Sequence, residues 1–138
     1  MPIDGIRKTM ETWFTTGDVA MLSDDVVFED MGNHMGYKDG KEFKGPQAVY
    51  EWSMWLVTEP FGQAKPELVC MIVAEDHAVL EFTIVGKHEG EFAGVPATGK
   101  EVRVPVCITY DMNEQSKIRR GRIYVLVNTF LEQVGAKG

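Results

Sequence analysis

Apolar residues at the start of the chain recur at helical spacing. Ile6, Met10 and Trp13 are separated by three or four positions, as on one face of an α-helix. This spacing predicts an amphipathic helix over residues 3–15, and Gly17 supplies a stop signal just beyond it. The N-terminal segment therefore contributes one apolar helix face to a core.

The next part of the chain mixes short elements before a second helix. Residues 18–24 predict a helical turn, residues 26–29 a strand and residues 31–45 a loop. A helix should start at Pro46, because proline fits a first helical turn, where its missing N–H has no partner. It continues through QAVYEWSMWLV to about Val57.

The second half changes from helical spacing to strand-like runs. Consecutive strands joined by short turns favour an antiparallel sheet, and helices massed at the N-terminus favour the α+β class. A helical turn over NTFLEQVG closes the chain, and residues 1–138 are expected to form a single domain. The predicted strands are residues 67–74, 78–88, 101–111 and 117–127.

Alternation along two strands indicates which side chains face the core. In the strand over residues 78–88, Leu80, Phe82 and Ile84 share a face with His88, so that face should be buried. The last strand is ambiguous, because both of its faces mix polar and apolar residues. Its two faces are Arg120, Arg122, Tyr124 and Leu126 on one side, and Arg119, Gly121, Ile123 and Val125 on the other.

Composition excludes several classes of protein. With 44% hydrophobic and 25% charged residues the chain is expected to be globular, and its net charge of −7 disfavours nucleic acid and anionic membranes as partners. No apolar run reaches membrane-spanning length and no signal-peptide pattern is seen, so we expect a soluble, cytoplasmic protein. Cys70 and Cys107 are expected to be buried free thiols, and no metal-ligand spacing is found.

Three tryptophans and eight methionines favour an adaptable apolar pocket between helices and sheet. Each such residue is also explained by ordinary core packing. An arginine turned towards this pocket would need a carboxylate or a ligand beside it. The residues expected to bind a hydrophobic small molecule are Trp13, Phe14, His34, Trp52, Trp55 and Phe82.

Two stretches of the sequence carry a family resemblance. The first, GKHEGEFAGVPATGKEVRVPVCITYDMNEQSKI, begins at Gly86, and the second, RIYVLVNTFLEQVG, begins at Arg122. Together with DDVVFED and the later FKGPQAV, they resemble the SnoaL-like polyketide cyclases and ester cyclases of the nuclear transport factor 2-like superfamily. The resemblance implies a cone-shaped α+β fold, a ligand inside the cone and a homodimer formed through the outer face of the sheet, with Thr83, Val85, Ile123 and Val125 as candidate contacts.

The resemblance also implies roles for particular residues. Asp30 matches the position where ketosteroid isomerases of this superfamily keep a proton-transferring carboxylate, and His88 matches the histidine of the SnoaL-like motif. Polyketide cyclases often place a further carboxylate two residues after the tyrosine of their Arg-x-Tyr strand, where this chain has Leu126. Asp30 is thus the remaining carboxylate candidate, with His88, Arg122 and Tyr124 as donors.

These residues lead to one principal expectation about function. A carboxylate in an apolar pocket exchanges protons near neutral pH, so we expect a cofactor-independent cyclase or isomerase acting on an apolar carbonyl compound, without a metal. Two alternatives stay open: a binding protein without catalysis, and an epoxide hydrolase using Asp30 and Asn33. The carboxylate of Asp30 could also simply cap the loop that follows its strand.

Overall fold

A computed structural model describes residues 2–32 and 42–136. Three helices and six strands make up the described part of the fold, and a short 3₁₀ turn at Val19–Met21 precedes the first strand. The elements are α1 (Pro2–Thr16), β1 (Leu22–Asp30), β2 (Glu42–Lys44), α2 (Pro46–Thr58), β3 (Lys65–Val73), β4 (His77–Lys87), β5 (Glu101–Met112), β6 (Ile118–Val125) and α3 (Val127–Gln133).

Both N-terminal helices follow the predicted pattern. Helix α1 buries Ile6, Met10 and Trp13, and it ends at Gly17, whose φ of 67° is the left-handed conformation that glycine adopts at little cost. Helix α2 starts at Pro46 in the first helical turn, as predicted. The two helices therefore present apolar faces to the same side of the sheet.

The strands form one curved, open sheet in the order β2-β1-β6-β5-β4-β3, so the α+β class predicted for the chain is confirmed. Neighbouring strands are antiparallel except β1 and β6, which run parallel. That parallel pair and the short β2 were not predicted. Strand β1 is also longer than the predicted residues 26–29, and Asp30 is its last residue.

The structure resolves the ambiguous faces of β6. Gly121 lies beneath the Phe28 ring, and a Cβ atom added there would come within 2.7 Å of that ring. Alternation then directs Ile123 into the core, where it is fully buried, and leaves Arg122 and Tyr124 on the outer face. The expectation that Ile123 contributes to an outer contact surface is therefore wrong.

Phe28 lies at the centre of the core between helices and sheet. Its ring meets those of Trp13 and Trp52 at centroid distances of 6.4 Å each, in edge-to-face geometry. The ring of Tyr110 on β5 approaches it at 5.9 Å. Such aromatic pairs favour these tilted arrangements because ring edges and faces carry opposite partial charge. The same cluster connects α1, α2 and the concave face of the sheet.

The two cysteines are free thiols, as predicted, although both are half-buried instead of buried. Cys70 and Cys107 lie on the outer face, on either side of Glu81 in β4. Burial raises the pKa of the Cys107 thiol, and the charge of Glu81 acts in the same direction. Both effects disfavour the reactive thiolate form of Cys107.

Candidate functional site

A cavity of about 230 Å³ lies between α1, α2 and the concave face of the sheet. The exposed end of α1 and the last turn of α2 surround its mouth, and buried residues of β1, β4 and β5 form its floor. Its walls are mostly apolar and aromatic, as is usual for small-molecule sites. The lining residues are Trp13, Phe14, Thr15, Thr16, Gly17, Phe28, Trp52, Ser53, Met54, Leu56, Val57, Pro66, Leu80, Phe82, Ile108 and Tyr110.

Four of the six residues predicted to bind substrate line this cavity. They are Trp13, Phe14, Trp52 and Phe82, and the rings of Phe14 and Phe82 pack edge to face at 5.7 Å. Trp55 is not among the lining residues, and its indole stacks on Phe92 in a separate aromatic cluster. The prediction for His34 lies outside the described residues.

Hydroxyl groups in the cavity wall are mostly engaged by their own helices. The hydroxyl of Thr15 donates to the carbonyl of Glu11, and the hydroxyl of Thr16 donates to that of Thr12. Ser53 likewise donates to the carbonyl of Val49 at 2.8 Å. These bonds leave each hydroxyl proton committed to helix backbone, so the three residues contribute little hydrogen-bonding specificity to a ligand.

Tyr110 is a polar group of the cavity floor that the sequence analysis missed. Burial raises the pKa of its phenol well above the ordinary value, while the nearby Trp13 side chain acts in the opposite direction. The phenol therefore stays protonated at physiological pH and can donate a hydrogen bond. A signal was present in the alternation of β5, where Tyr110 continues the buried aliphatic face that includes Val104, Val106 and Ile108.

Asp30 is buried on the concave face of the sheet, with 2% of its surface exposed. It follows Phe28 by two positions, so both side chains lie on the same face of β1. Across the sheet Asp30 is level with Ile123 and then Ile108, and Ile108 lines the cavity. One carboxylate oxygen accepts a hydrogen bond from the Gly32 backbone at 3.1 Å. Asp30 is not among the described lining residues, and its relation to the cavity is through Phe28 on its own strand and Ile108 two strands away.

His88 is fully buried, but it lies in the loop between β4 and β5 and does not line the cavity. Its Nδ1 lies 2.9 Å from the Thr98 hydroxyl and accepts from the Thr98 backbone N–H at 3.3 Å. Its ring packs edge to face on Phe130 of α3, with centroids 4.9 Å apart. Burial lowers the pKa of His88, although backbone groups of Val95 and Gly90 oppose that shift.

Gly86 and Gly90, on either side of His88, allow this loop to pack against the segment after α2. The backbone N–H groups of Glu89 and Gly90 both donate to the carbonyl of Pro60. A Cβ on Gly90 would lie 2.4 Å from the backbone oxygen of Glu59, and a Cβ on Gly86 equally close to that of Phe61. We call residues 86–100 the motif loop; its glycines and histidine hold it against the neighbouring backbone and α3.

Arg122 and Tyr124 lie on the outer face, away from the cavity. The guanidinium of Arg122 binds both carboxylate oxygens of Asp111, at 3.1 and 3.2 Å. Burial alone would raise the pKa of Asp111, but the hydrogen bond and charge of Arg122, with the charges of His77 and Arg119, lower it below its ordinary value. Tyr124 is exposed. The four predicted catalytic residues therefore do not converge on one cavity, and their catalytic roles stay predictions.

The described residues contain neither a metal-binding cluster nor a membrane-spanning helix. Over residues 2–32 and 42–136, no group of three or more histidine, cysteine, aspartate or glutamate side chains is arranged to hold a metal ion. Within the same residues, no helix combines the length and apolar character needed to cross a membrane.

Comparison with known proteins gives one family match and many structural matches. The sequence profile of the SnoaL-like polyketide cyclases matches residues 5–134. No curated protein matches the chain significantly.

Three solved structures illustrate the structural similarity. A protein from Jannaschia sp. CCS1 assigned to the SnoaL-like polyketide cyclases has 17% sequence identity and a TM-score of 0.75, over 100% of this chain and 97% of that one. A phenazine biosynthesis-related protein, PhzB2 of Pseudomonas aeruginosa, has 15% identity and a TM-score of 0.73 over 99% and 89%. A Catenulispora acidiphila protein with a ketosteroid isomerase-like fold, solved with trimethylamine, has 14% identity and a TM-score of 0.66 over 96% and 93%. At these identities the similarity establishes the fold.

Proposed function

The chain belongs to the SnoaL-like polyketide cyclase family, and on that premise we propose that it is a cofactor-independent acid–base enzyme, a cyclase or isomerase. Its substrate would be an apolar metabolite that carries a carbonyl group. The observation that carries the proposal is the burial of the Asp30 carboxylate on the concave face, two residues along β1 from the cavity-lining Phe28.

Elimination among the buried carboxylates supports this assignment. Asp30 and Asp111 are the buried acidic residues in the described part of the chain. Asp111 lies on the outer face and is bound by Arg122. Asp30 follows the cavity-lining Phe28 by two residues, which corresponds to about 7 Å along a strand. Asp30 is therefore the carboxylate best placed to take a proton from a bound ligand.

In the proposed reaction, Asp30 removes a proton from the carbon next to the ligand carbonyl. The bond electrons move into the carbonyl and form an enolate. If the carbonyl compound is β,γ-unsaturated, the enolate is conjugated, and isomerisation follows when protonated Asp30 returns the proton to the γ-carbon and the double bond moves. Cyclisation follows if the enolate carbon attacks a second carbonyl of the same molecule and protonated Asp30 gives its proton to the alkoxide that forms. Positioned acid–base catalysis of this kind typically contributes a factor of about 10² to 10⁴ in rate.

Proton exchange in D₂O tests the proposal without the physiological substrate. Acetophenone carries methyl protons next to a carbonyl, and their replacement by deuterium is followed by proton NMR. We expect the protein to accelerate the exchange above buffer, and Asp30→Asn to reduce that acceleration by about 100-fold. Asp24→Asn, an exposed substitution on the same strand, is the matched control. Wild-type exchange rates in Asp30→Asn would remove Asp30 from the mechanism.

A second candidate function is binding of a hydrophobic compound without catalysis. The observation that favours it is the cavity lining, because no charged side chain occurs among the described residues that form it. Exchange no faster than in buffer, together with measurable binding of acetophenone, would support this candidate. For the epoxide-hydrolase alternative, the prediction that Asn33 contributes lies outside the described residues.

We also propose that the protein forms a homodimer through the outer face of the sheet. Ile72, Tyr124 and Leu126 are exposed apolar or aromatic residues on or next to that face. Burial of such exposed apolar side chains by a protein partner is favourable. In the proposed dimer a second copy of the chain covers this face, in keeping with the family resemblance.

A further inference from the structure

We propose that the cavity binds a neutral aryl ketone of one or two rings, with the ketone oxygen accepting a hydrogen bond from Tyr110. This inference deepens the proposed function, on which it rests for the use of the cavity as the ligand site. It adds a size class for the substrate and a specificity-determining residue that the sequence analysis did not identify.

Cavity volume sets the size of the ligand. The cavity holds about 230 Å³, whereas a buried cavity of about 150 Å³ accommodates benzene and pockets for drug-sized ligands start at about 300 Å³. A single substituted ring or a fused pair of rings fits between these limits. A four-ring skeleton does not fit in this volume.

Aromatic walls favour a flat, unsaturated ligand. Trp13, Phe28 and Trp52 enclose one side of the cavity, and Phe14 and Phe82 enclose another. The paired rings are tilted by 62° to 81°, so they present both ring edges and ring faces. An aromatic ligand can make both kinds of contact, each of which adds attraction beyond the burial of apolar area.

The hydrogen-bond donor of Tyr110 suits a ligand carbonyl group. Of the four hydroxyl groups in the described cavity lining, that of Tyr110 is the one whose proton is not committed to a helix carbonyl. The phenol proton is therefore available to a ligand acceptor, and a ketone oxygen is such an acceptor. The hydroxyls of Thr15, Thr16 and Ser53 are committed to helix carbonyls, so they do not compete for the ligand.

The described cavity lining has no charged side chain, and this favours a neutral ligand. The described lining residues contain no arginine, lysine or histidine that could pair with a carboxylate or phosphate on the ligand. Burying an unpaired charge in such a site is costly, whereas burying a carbonyl is compensated by one hydrogen bond. A ketone therefore suits the floor formed by Tyr110 better than an acid of the same size.

The test compares acetophenone with ethylbenzene, which has nearly the same shape but no oxygen. Titration of ¹⁵N-labelled protein gives the dissociation constants, and the indole N–H signals report the location, since Trp13 and Trp52 line the cavity and Trp55 does not. We expect the Tyr110→Phe substitution to weaken the affinity for acetophenone about fivefold, as for the loss of one neutral hydrogen bond. The affinity for ethylbenzene should change less than twofold. Tyr50→Phe, outside the lining residues, is the matched control.

Three results would overturn the inference. The first is that Tyr110→Phe weakens acetophenone binding less than twofold. The second is that it weakens the binding of both compounds equally. The third is that progesterone, a four-ring ketone, displaces acetophenone at its solubility limit. If Tyr110→Phe does not fold, Val57→Trp at the cavity mouth should abolish acetophenone binding, and unchanged binding would contradict the proposed location.

The outcome is separable from that of the proposed function. Tyr110-dependent binding of acetophenone without any deuterium exchange would sustain the ligand class and contradict the acid–base enzyme. Exchange that requires Asp30 but is unaffected by Tyr110→Phe, with unchanged acetophenone affinity, would contradict the ligand inference and sustain the enzyme.

Discussion

Arg122 and Asp111 form a two-pronged ion pair on the outer face of the sheet, with nitrogen–oxygen distances of 3.1 and 3.2 Å. The two residues lie on neighbouring strands, β6 and β5, and His77 and Arg119 approach the same carboxylate at 3.1 and 3.6 Å. The charge of Arg122 is therefore balanced by a carboxylate of the same chain on the outer face of the sheet. We expect substitution of Arg122 to change the stability of the fold.

The Arg122→Met variant should lose stability and keep its chemistry. Removing the guanidinium leaves Asp111, which is 8% exposed, without its main hydrogen-bond donor. We expect a loss of about 1–3 kcal/mol in the free energy of unfolding, measured by urea titration. The deuterium-exchange rate per folded molecule should be unchanged. A folded variant that lost exchange would instead support the catalytic role predicted for Arg122 from the sequence.

Stability should depend on pH through His88. Because burial lowers the pKa of His88 in the folded protein, the unfolded chain takes up the proton more readily. Stability should therefore fall as pH drops below the unfolded-state pKa of about 6.5. Urea titrations between pH 7.5 and pH 5 should show a shallower decrease for His88→Gln than for the wild type.

Thr98→Val is the control for that experiment. It removes the hydroxyl next to Nδ1 of His88 but leaves the imidazole in place, so the dependence on pH should remain. Equal slopes in the wild type and His88→Gln would show that other groups cause the dependence.

Close packing of the motif loop predicts a difference between two of its glycines. In Gly90→Ala the new Cβ would lie 2.4 Å from the backbone oxygen of Glu59, so the loop or the end of α2 must move. We expect a loss of about 1–3 kcal/mol or more. In Gly94→Ala the Cβ has no neighbour within 4 Å, and only its φ of 80° is unfavourable, at about 1 kcal/mol. Thermal unfolding of both variants measures which of them loses more stability. A loss in Gly94→Ala that equals or exceeds the loss in Gly90→Ala would contradict the prediction.

The proposed dimer predicts a mass of twice the 15.5 kDa chain in light scattering. Ile72→Lys places a charge on the outer face and should convert the dimer to a monomer. Val19→Lys changes an equally apolar, exposed residue near the end of α1 and should leave the dimer intact. A monomeric wild type at about 100 μM would contradict the proposal.

Sequence patterns predicted the helices, most strand positions and the family, because these depend on local periodicity and on one long motif. They did not decide the faces of β6, since Gly121 faces inward only because the ring of Phe28 covers it. Tyr110 lines the cavity together with Trp13, which is remote in sequence. Such relationships depend on the tertiary arrangement, and the pattern along a single strand does not contain them.

The motif loop and the cavity floor share no residues among those described. His88, Gly86 and Gly90 act on the loop backbone, whereas Phe28 and Tyr110 lie against the ligand site. Evolution can therefore replace the floor residues without disturbing the segment by which relatives are recognised. Sequences retrieved by this motif should share a folding determinant, and on the proposed roles the residues at positions 30 and 110 would be the better basis for sorting them by chemistry.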